Sequence, residues 1–423
     1  MPADELLIIG AGPAGLGVSF RYAGASRILE SSAVIGGLCR SITFGGGVFD
    51  IGGHCFHTPH ADVADLVAGL MRGRWHSQAR DARVYFRGDM IPYPFQKQFE
   101  RLSDATVVTE CRAGLANAAA TTTAATNFEE WILRRFGVGI AEHFMLPYNR
   151  KLWGKNLQRI GCDWVGERVA ESGGHKLGTR LPLNDGSEVS YPAQGGFDEI
   201  FKALAQHCGS IEFGQTVTRI DTSSRTVHTA EGGSWAWKRL VSTMPLPLLL
   251  HSIPDTPGEL LADVDHLEYI SLKLLLILVA GSLPNAPQRV YIADPDIPPH
   301  KVAFNHTSSL SLRNRPVHAV ICEIAHSPGS PPPPDRQLQD ATLDWLVDSR
   351  LVESKSCFIE ARMVDVAHAY PVPTHDRQRI VAAARTYLAG HDIHTIGRFG
   401  AWDYANSDDC LRQGLELGSC LST

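Results

Sequence analysis

The sequence has 423 residues, of which 44% are apolar and 20% are charged, as in a folded globular protein rather than a disordered or fibrous one. This length is enough for two or three domains with a cleft between them. A formal charge of −6, without any block of lysines and arginines, argues against a nucleic-acid partner.

The cysteine pattern and the hydropathy indicate a cytoplasmic protein. Nine cysteines are scattered without a C-x-x-C pair, and no secretory signal is visible, so we expect reduced thiols. A membrane span needs about 18 or more apolar residues in a row. The nearest approach, Val241 to Leu250, is interrupted by prolines, so we expect no membrane partner.

The chain opens with a strand, a glycine turn, a helix and a second strand. The motif Gly10-x-Gly12-x-x-Gly15 follows the apolar strand Leu6 to Ile9, and Glu30 closes the second strand. Glycines permit the tight turn and the approach of a pyrophosphate, the helix N-terminus favours its negative charge, and the terminal carboxylate can accept hydrogen bonds from a ribose. This region therefore predicts a dinucleotide-binding unit in an α/β fold.

Two further glycine pairs favour FAD over NAD. Gly36-Gly37 is followed by Arg40, and Gly52-Gly53 precedes His54. Such an arrangement is similar to the two-dinucleotide FAD signature, although Gly36-Gly37 can also be read as a purely structural turn. No second G-x-G-x-x-G after a strand is present for NAD(P)H.

The three histidines that follow the second glycine pair do not predict a metal site. His54, His57 and His60 are spaced by three, but Thr58-Pro59 interrupts a helix there and no thiol or carboxylate is suitably placed. We expect His54 to lie beside the flavin and the other two to be loop residues.

The remaining chain divides into a helical stretch and a strand-rich stretch. Apolar residues recur at helical spacing from about Gln98 to Arg180. Strand patterns return at Ile211 to Ile220, with a hairpin around Ser223-Ser224, and alternating runs at residues 268–325 suit an antiparallel sheet. The proline-rich run Ser327 to Asp335 is expected to be an exposed linker.

Several segments, in order along nearly the whole chain, resemble UDP-galactopyranose mutases, especially the eukaryotic-type branch, within the amine-oxidase-like flavoproteins. They are Asp50-Ile51-Gly52-Gly53-His54, Ile91-Pro92-Tyr93-Pro94-Phe95-Gln96, Phe144-Met145-Leu146-Pro147-Tyr148-Asn149 with Trp153, Trp164 to Ala170, Tyr191 to Gly196, Leu240 to Met244, Ala369 to Pro373, and Gly397 to Trp402.

The resemblance implies a Rossmann-like FAD-binding domain with an inserted helical domain and an antiparallel β-sheet domain. The FAD-binding domain would be discontinuous, comprising residues 1–96, 188–248 and 360–423. Residues 97–187 would form the helical nucleotide-binding domain and residues 249–359 the antiparallel sheet domain.

The resemblance also implies an isomerase that interconverts the pyranose and furanose forms of a nucleotide-diphosphate hexose, UDP-galactopyranose being the first candidate. Reduced FAD would act through a flavin N5–sugar adduct. His54, Arg168 and Arg398 would be the catalytic residues, with the arginines facing the diphosphate because a guanidinium fork matches phosphate oxygens.

The same resemblance assigns binding residues. The cofactor would contact Gly10, Gly12, Ala14, Gly15, Glu30, Gly37, Leu38, Arg40, Gly53, His54, Val217, Gly397 and Gly414. The substrate would contact Arg83, Tyr93, Phe95, Gln96, Asn149, Trp153, Arg168, Tyr291, His306, Tyr370, Arg398, Tyr404 and Asn406. Tyr93, Phe95 and Gln96 resemble a uracil-binding segment, and the flanking prolines favour a loop there.

The chain also departs from the family pattern. His306 stands where the family places a second diphosphate arginine, and a histidine offers one donor and little charge near neutral pH. Either the diphosphate is held less strongly or Arg313 or Arg315 replaces the missing guanidinium. His57 occupies an aromatic position, and Tyr404-Ala405-Asn406 is shorter than the eukaryotic pattern.

Two other functions remain open from the sequence. One is an FAD-dependent oxidase or dehydrogenase of the amine-oxidase-like group, since one fold hosts many reactions. The other is a flavoprotein that only binds or senses. NADPH is a candidate reductant, with Arg83 near its site, and a homo-oligomer is compatible with the sequence. The sugar, the nucleotide and the pathway are not fixed by these patterns.

Overall fold

The structure is a computed structural model that describes residues 4–118, 124–154, 156–165 and 188–423. Its strands are β1 Asp4–Ile9, β2 Ser26–Glu30, β3 Ser41–Phe44, β4 Gly47–Asp50, β5 Trp75–Ala79, β6 Ala82–Phe86, β7 Asp89–Pro92, β8 Glu188–Pro192, β9 Ser210–Phe213, β10 Val217–Asp221, β11 Thr226–Thr229, β12 Ser234–Ser242, β13 Tyr269–Ala280, β14 Arg289–Ile292, β15 Lys301–Phe304, β16 Val317–His326, β17 Phe358–Pro371 and β18 Ile393–Thr395. Its helices are α1 Pro13–Arg21, α2 Ala61–Leu70, α3 Phe95–Gln98, α4 Ala105–Ala118, α5 Phe128–Ile140, α6 Leu146–Trp153, α7 Glu199–Ala205, α8 Leu246–His251, α9 Gly258–Val264, α10 Asp335–Asp348, α11 Arg377–Ala389, α12 Gly397–Gly400 and α13 Ser407–Leu421.

The first sheet has the strand order β10-β11-β12-β1-β2-β9, with β18 paired to β12. β1 runs parallel to both β12 and β2. Its central position follows from its sequence, because Leu6, Leu7 and Ile8 are fully buried and only a strand covered on both faces can bury such a continuous apolar run.

Helices α1 and α13 lie directly against each other beside this sheet. A Cβ atom at Gly414 would stand 2.2 Å from the Ala14 carbonyl oxygen, and one at Gly17 would stand 2.7 Å from the Leu411 carbonyl oxygen. The two backbones can approach this closely because glycine occupies both positions. The close packing fixes the helix that begins at the glycine turn.

The second sheet has the order β17-β13-β16-β15-β14-β6-β7 and is antiparallel except for the β6–β14 pair. The antiparallel strands predicted within residues 268–325 are confirmed by β13 and β16, which pair along Ser271 to Ala280 of β13. β6, β7 and β17 also belong to this sheet, although the domain boundaries drawn at residues 96 and 360 place most of them in the FAD-binding domain. The division into domains therefore remains a proposal, with these strands as shared elements.

The helical region predicted from the sequence is confirmed over α4 to α6, whereas residues 166–187 lie outside the described part of the chain. Its core is aromatic, with Phe95, Phe128, Phe136 and Trp153 fully buried. Gly137 has a φ of 72°, and a Cβ atom there would overlap the Gly114 carbonyl oxygen, so α4 and α5 meet where neither chain carries a side chain.

The turn and linker predictions are also confirmed. β10 and β11 form the hairpin around Ser223-Ser224, and the proline-rich run ends where α10 begins. The predicted run Ile211 to Ile220 is divided between β9 and β10 at Gly214, whose φ of 64° turns the chain. Across the described residues, every helix is too short or too polar to span a bilayer. Together, the parallel sheet, the helical insertion and the antiparallel sheet confirm the predicted α/β fold class.

Candidate functional site

The glycine turn after β1 has the geometry of a phosphate-binding loop. Gly10 has a φ of 100°, and Gly12 is the residue that caps the N-terminus of α1. A Cβ atom at Gly15 would stand 2.0 Å from the Gly10 carbonyl oxygen, so only glycine allows the helix to start here. A Cβ atom at Gly12 would instead project into open space, with Gly37 Cα at 3.9 Å as its nearest neighbour. This gap between two glycine loops is the space that a pyrophosphate would need, and the residues fit the ADP half of FAD.

Glu30 lies at the carboxyl end of β2, directly beside this turn. Its carboxylate accepts hydrogen bonds from the Ala11 N–H and the Ser32 N–H, both at 2.8 Å. The Gly36 N–H donates to the Ala11 carbonyl at 2.8 Å, which brings the second glycine loop against the first. The predicted adenosine and pyrophosphate contacts therefore lie side by side.

The other predicted cofactor residues fall into two groups. Arg40 donates to the Gly37 carbonyl at 2.8 Å, and a Cβ atom at Gly397 would stand 3.0 Å from Ala14 Cβ, so both lie beside the glycine turns. Gly414 packs α13 against α1, and Val217 lies on β10, two residues after Gln215, whose N–H donates to the Glu30 carbonyl at 2.9 Å. Gly414 thus supports the site through helix packing.

A cavity of about 320 Å³ lies between the second glycine pair, the helical region and the antiparallel sheet. Leu38, Gly53 and His54 of the predicted cofactor set line it, as do Tyr93, Gln96, Asn149, Trp153, Tyr291, Tyr370, Arg398, Tyr404 and Asn406 of the predicted substrate set. Segments that are far apart in the sequence, and that carry the family-like motifs, therefore surround one space.

Arg398 lies on the short helix α12 and is held between two tyrosines. Its guanidinium carbon is 5.1 Å from the Tyr370 ring centre and 4.8 Å from the Tyr404 ring centre, and Nη1 donates to the Ala405 carbonyl at 2.8 Å. Within the described residues its buried Nε has no hydrogen-bond partner. A buried guanidinium with an unused donor is suited to binding an anion.

The predicted base-binding segment contributes in two ways. Tyr93 lines the cavity and packs on Tyr291 with ring centres 4.6 Å apart. Phe95 does not line the cavity, because its fully buried ring stacks on Phe144 at 4.7 Å and supports the wall from behind. The prolines expected to favour a loop flank Tyr93, which lies between β7 and the one-turn helix α3.

Both histidines that line the cavity are held neutral. His54 Nε2 donates to the Ile51 and Leu38 carbonyls at 3.0 and 3.1 Å, and its ring stacks on Phe197 at 4.9 Å. Burial, together with the charges of Lys301 and Arg289, lowers the pKa of His54 to about 4. Burial likewise lowers the pKa of His300 to about 3. A neutral His54 can orient a cofactor but carries no charge at physiological pH.

A buried ion pair that sequence reasoning missed lies on adjacent strands of the second sheet. Lys301 and Glu323 are register partners, and their charged groups are 2.8 Å apart. Glu323 also accepts from the Gly53 N–H at 2.7 Å and from the Tyr370 hydroxyl at 3.0 Å. Burial would raise the pKa of Glu323, but the charge and hydrogen bond of Lys301, with the Gly53 N–H, hold it at about 2. A glutamate inside the otherwise apolar run Ala319 to Ala325 was the signal in the sequence.

Lys151 connects the helical region to the same sheet. Its ammonium donates to the Asp294 carbonyl at 2.7 Å and to the Pro299 carbonyl at 2.8 Å, so α6 holds the loop that leads into His300 and Lys301. Desolvation lowers the pKa of Lys151 to about 7.

Besides Phe95, two predicted substrate residues that the structure describes, Arg83 and His306, do not line the cavity. The Arg83 guanidinium is paired with Asp81 at 2.8 Å and also donates to the Asn285 carbonyl. His306 lies in the 3₁₀ turn Asn305–Thr307 that follows β15 and is buried against His318, with ring centres 4.2 Å apart. Arg168 lies outside the described residues.

The proposed replacements for a second diphosphate arginine also lie elsewhere. Arg313 hydrogen-bonds with Gln78 and with His76, and Arg315 donates to the Gly46 carbonyl at 3.1 Å. The cations that the structure adds to the cavity wall are instead Arg289 and Lys301. Sequence reasoning missed both of them.

The histidines after Gly53 do not converge on one another. His57 contacts Cys55, whereas His60 lies 3.3 Å from Asp409 and its Nδ1 accepts from Arg412 at 2.9 Å. His60, Asp408 and Asp409 have ligand atoms within 4.8 Å of one another, but Asp409 also caps α13. These contacts within the protein account for the group.

Solved structures of known proteins share this architecture. The whole chain is similar to reduced UDP-galactopyranose mutase, with 26% identity, a TM-score of 0.90, and coverage of 99% of this chain and 93% of that one. It shares its fold with a fatty acid isomerase from P. acnes, at 15% identity, a TM-score of 0.68 and coverage of 98% and 97%. Cyclohexylamine oxidase from Brevibacterium oxydans has the same fold at 15% identity, a TM-score of 0.69 and coverage of 100% and 99%.

A family model settles the wider membership. The model for flavin containing amine oxidoreductases matches residues 26–282, more than half of the chain. The predicted resemblance to a mutase within the amine-oxidase-like group is confirmed, and so is the prediction of a mutase-like flavoenzyme. The chain belongs to the flavin-containing amine oxidoreductase family.

Proposed function

We propose that the protein is a flavin-dependent mutase that interconverts the pyranose and furanose forms of a nucleotide-diphosphate hexose, with UDP-galactose as the first substrate to test. One observation carries this proposal. The chain matches a reduced UDP-galactopyranose mutase over nearly its whole length, and in this shared fold Arg398 lies between Tyr370 and Tyr404 beside the predicted cofactor loop.

FAD would be held by Gly10, Gly12 and Glu30 at its ADP half and approached by Gly53 and His54 at its flavin. When bound in its reduced form, it would supply an electron-rich N5 as the nucleophile for the anomeric carbon of the sugar. Because the sugar is only rearranged, the reaction needs no net oxidation or reduction.

The protein's own side chains would bind and orient the nucleotide sugar. Tyr93 and Gln96 line the cavity and would receive the base, the tyrosine through its ring face and the glutamine through its amide. Arg398 would compensate the charge of the leaving diphosphate, aided by Arg168. Asn149 and Trp153 lie in the wall formed by α6 and would contact the sugar or the ribose.

The electron-rich state of the cofactor has to be produced by a reductant, for which we propose NADPH. The residue predicted to contact NADPH, Arg83, is already paired with Asp81. The phosphates of NADPH would therefore meet the cations that line the cavity instead. We also propose a cytoplasmic location, consistent with nine cysteines that carry no C-x-x-C pairing pattern.

The test is an anaerobic turnover assay. Protein reduced with dithionite is incubated with UDP-galactofuranose, and the pyranose product is separated by chromatography, with the oxidised protein as control. We expect product only from the reduced protein, without net consumption of electrons. Oxygen consumption with hydrogen peroxide formation from an amine or sugar, and no isomerised product, would identify an oxidase instead.

A further inference from the structure

Arg289, in the cavity wall, and Arg80, which lies over the ring of the wall residue Tyr93, are close enough for their charges to act on each other. Arg289 begins β14, and its register partner on β6 is Ala82, two residues after Arg80. Parallel pairing of these strands therefore brings the two arginines to the same end of the β6–β14 pair. Arg289 lines the cavity, and a Cβ atom on Gly53 would stand 3.4 Å from its Nε.

Neither guanidinium has its charge matched by an acid. In the described part of the chain, no carboxylate lies in salt-bridge contact with Arg80 or Arg289, and the buried Nε of Arg80 has no hydrogen-bond partner. Glu323, whose charge also acts on Arg289, is already paired with Lys301 at 2.8 Å. Arg80, Arg289 and Lys301 therefore share this largely buried place with one carboxylate and the Cys55 thiol, and the positive charge left over is costly unless another anion is present.

The neighbouring side chains respond to this excess of positive charge. Burial would raise the pKa of Tyr291, but Arg289, Arg80 and Lys301 lower it. Burial would also raise the pKa of Cys55, yet Arg289 and the contact with His57, at 3.9 Å from the thiol, lower it to about 6. By contrast, burial raises the pKa of Cys208 to about 11. This end of the β6–β14 pair therefore has a positive potential that favours anions.

A row of aromatic rings separates this pair from Arg398. The Arg80 guanidinium lies over Tyr93, 5.1 Å from its ring centre, and Tyr93 packs on Tyr291. The row continues through Tyr148 and His300 to Tyr370, with ring centres 6.1, 6.4 and 6.4 Å apart, and Arg398 lies over Tyr370. Cations therefore stand at both ends of the row.

We infer that Arg80 and Arg289 form a second anion-binding site, which recognises a carboxylate or phosphate that the substrate carries in addition to its diphosphate. The inference rests on the proposed function, because Arg398 is taken there as the diphosphate site. The second anionic group would come from the sugar, as in a hexuronic acid, or from the nucleoside, as in a phosphorylated ribose. Bidentate contact with two guanidiniums would give such a substrate both affinity and orientation.

The experiment measures binding to the oxidised holoprotein by calorimetry, with ligands that differ by one anionic group. UDP-galacturonate is compared with UDP-galactose, and a ribose-phosphorylated UMP with UMP. We expect the extra group of one pair to tighten binding by at least about tenfold, and Arg289→Gln and Arg80→Gln each to remove this preference. The control Arg112→Gln removes an exposed arginine paired with Glu100 and should keep the preference.

Several outcomes would overturn the inference. If the wild-type protein shows no preference within either pair, or if Arg289→Gln keeps it, the two arginines do not bind a second anion. If both variants weaken binding equally for ligands with and without the extra anionic group, the pair holds the phosphates that all these ligands share. If no nucleotide ligand binds, the proposed function fails, and inorganic phosphate then tests the pair alone. Phosphate should slow alkylation of Cys55 in the wild type more than in Arg289→Gln, and equal slowing would reject the site.

Discussion

The two ends of the site are built from different parts of the polypeptide. At the cofactor end, the backbone forms most of the site. Gly10, Gly12, Gly36 and Gly37 shape two loops, and Glu30 fixes them through the Ala11 N–H. At the substrate end, side chains from α6, α12 and five strands of the second sheet converge, and cations, tyrosines and one buried carboxylate set the chemistry. The first end is local in sequence, whereas the second exists only after folding.

This difference teaches how each end can fail. A loop shaped by glycines is sensitive to added volume, because any Cβ atom either strains the backbone or occupies the ligand's space. A side-chain site is sensitive to charge, because each buried cation or carboxylate is stabilised by a partner from another strand. Substitutions that change volume at one end and charge at the other therefore test the comparison.

The largest effect is expected from Gly12→Val. The new side chain has room in the protein, with Gly37 Cα at 3.9 Å from its Cβ, so the fold should survive while the phosphate space is filled. We expect the purified variant to be folded by circular dichroism but to retain less than about a tenth of the bound flavin absorbance, a loss of over 1.4 kcal/mol in binding.

The matched control is Gly69→Val, on the exposed side of α2, where an added Cβ meets no atom within 4 Å. It should keep its flavin. Full flavin occupancy in Gly12→Val would show that the pyrophosphate does not approach this turn.

An effect that spares the cofactor and is confined to the substrate end is expected from Arg398→Ala. The variant should keep its flavin, because the guanidinium contacts Tyr370, Tyr404 and the Ala405 carbonyl rather than the glycine loops. Loss of one buried donor to a developing negative charge typically lowers kcat by about 10² to 10³. Steady-state turnover of the reduced protein measures this, with Arg336→Ala, which is 93% exposed, as control. Unchanged turnover would remove Arg398 from the diphosphate site.

The contrast also explains how much could be predicted from the sequence. The glycine turns, Glu30 and the order of the elements were predictable because they depend on local spacing. Arg289 and Lys301 were missed because their position depends on strand pairing between distant segments, and a lone arginine or lysine gives no local signal. His306 was assigned to the site by motif order alone, yet it packs on His318, because the chain leaves β15 at Phe304 and forms a 3₁₀ turn whose direction the motif does not reveal.

The smallest effect on cofactor binding and turnover is expected from Glu323→Gln, which changes the stability of the fold instead. The substitution keeps the shape and the acceptor for the Gly53 N–H but leaves Lys301 without its counter-charge, and breaking a buried pair from one side costs about 3 to 5 kcal/mol. Because the pKa of Glu323 is held at about 2, below its ordinary value, its contribution is present above about pH 4.5 and is lost as the pH falls toward 2. Urea denaturation of the wild type should show this acid-dependent loss, and the variant should lack it.

The double variant Glu323→Gln with Lys301→Met should recover part of the stability, because no charge then remains unpaired. If instead the single variant is as stable as the wild type at neutral pH, the ion pair is not what holds the second sheet against Gly53, and the substrate end would rest on packing rather than on charge.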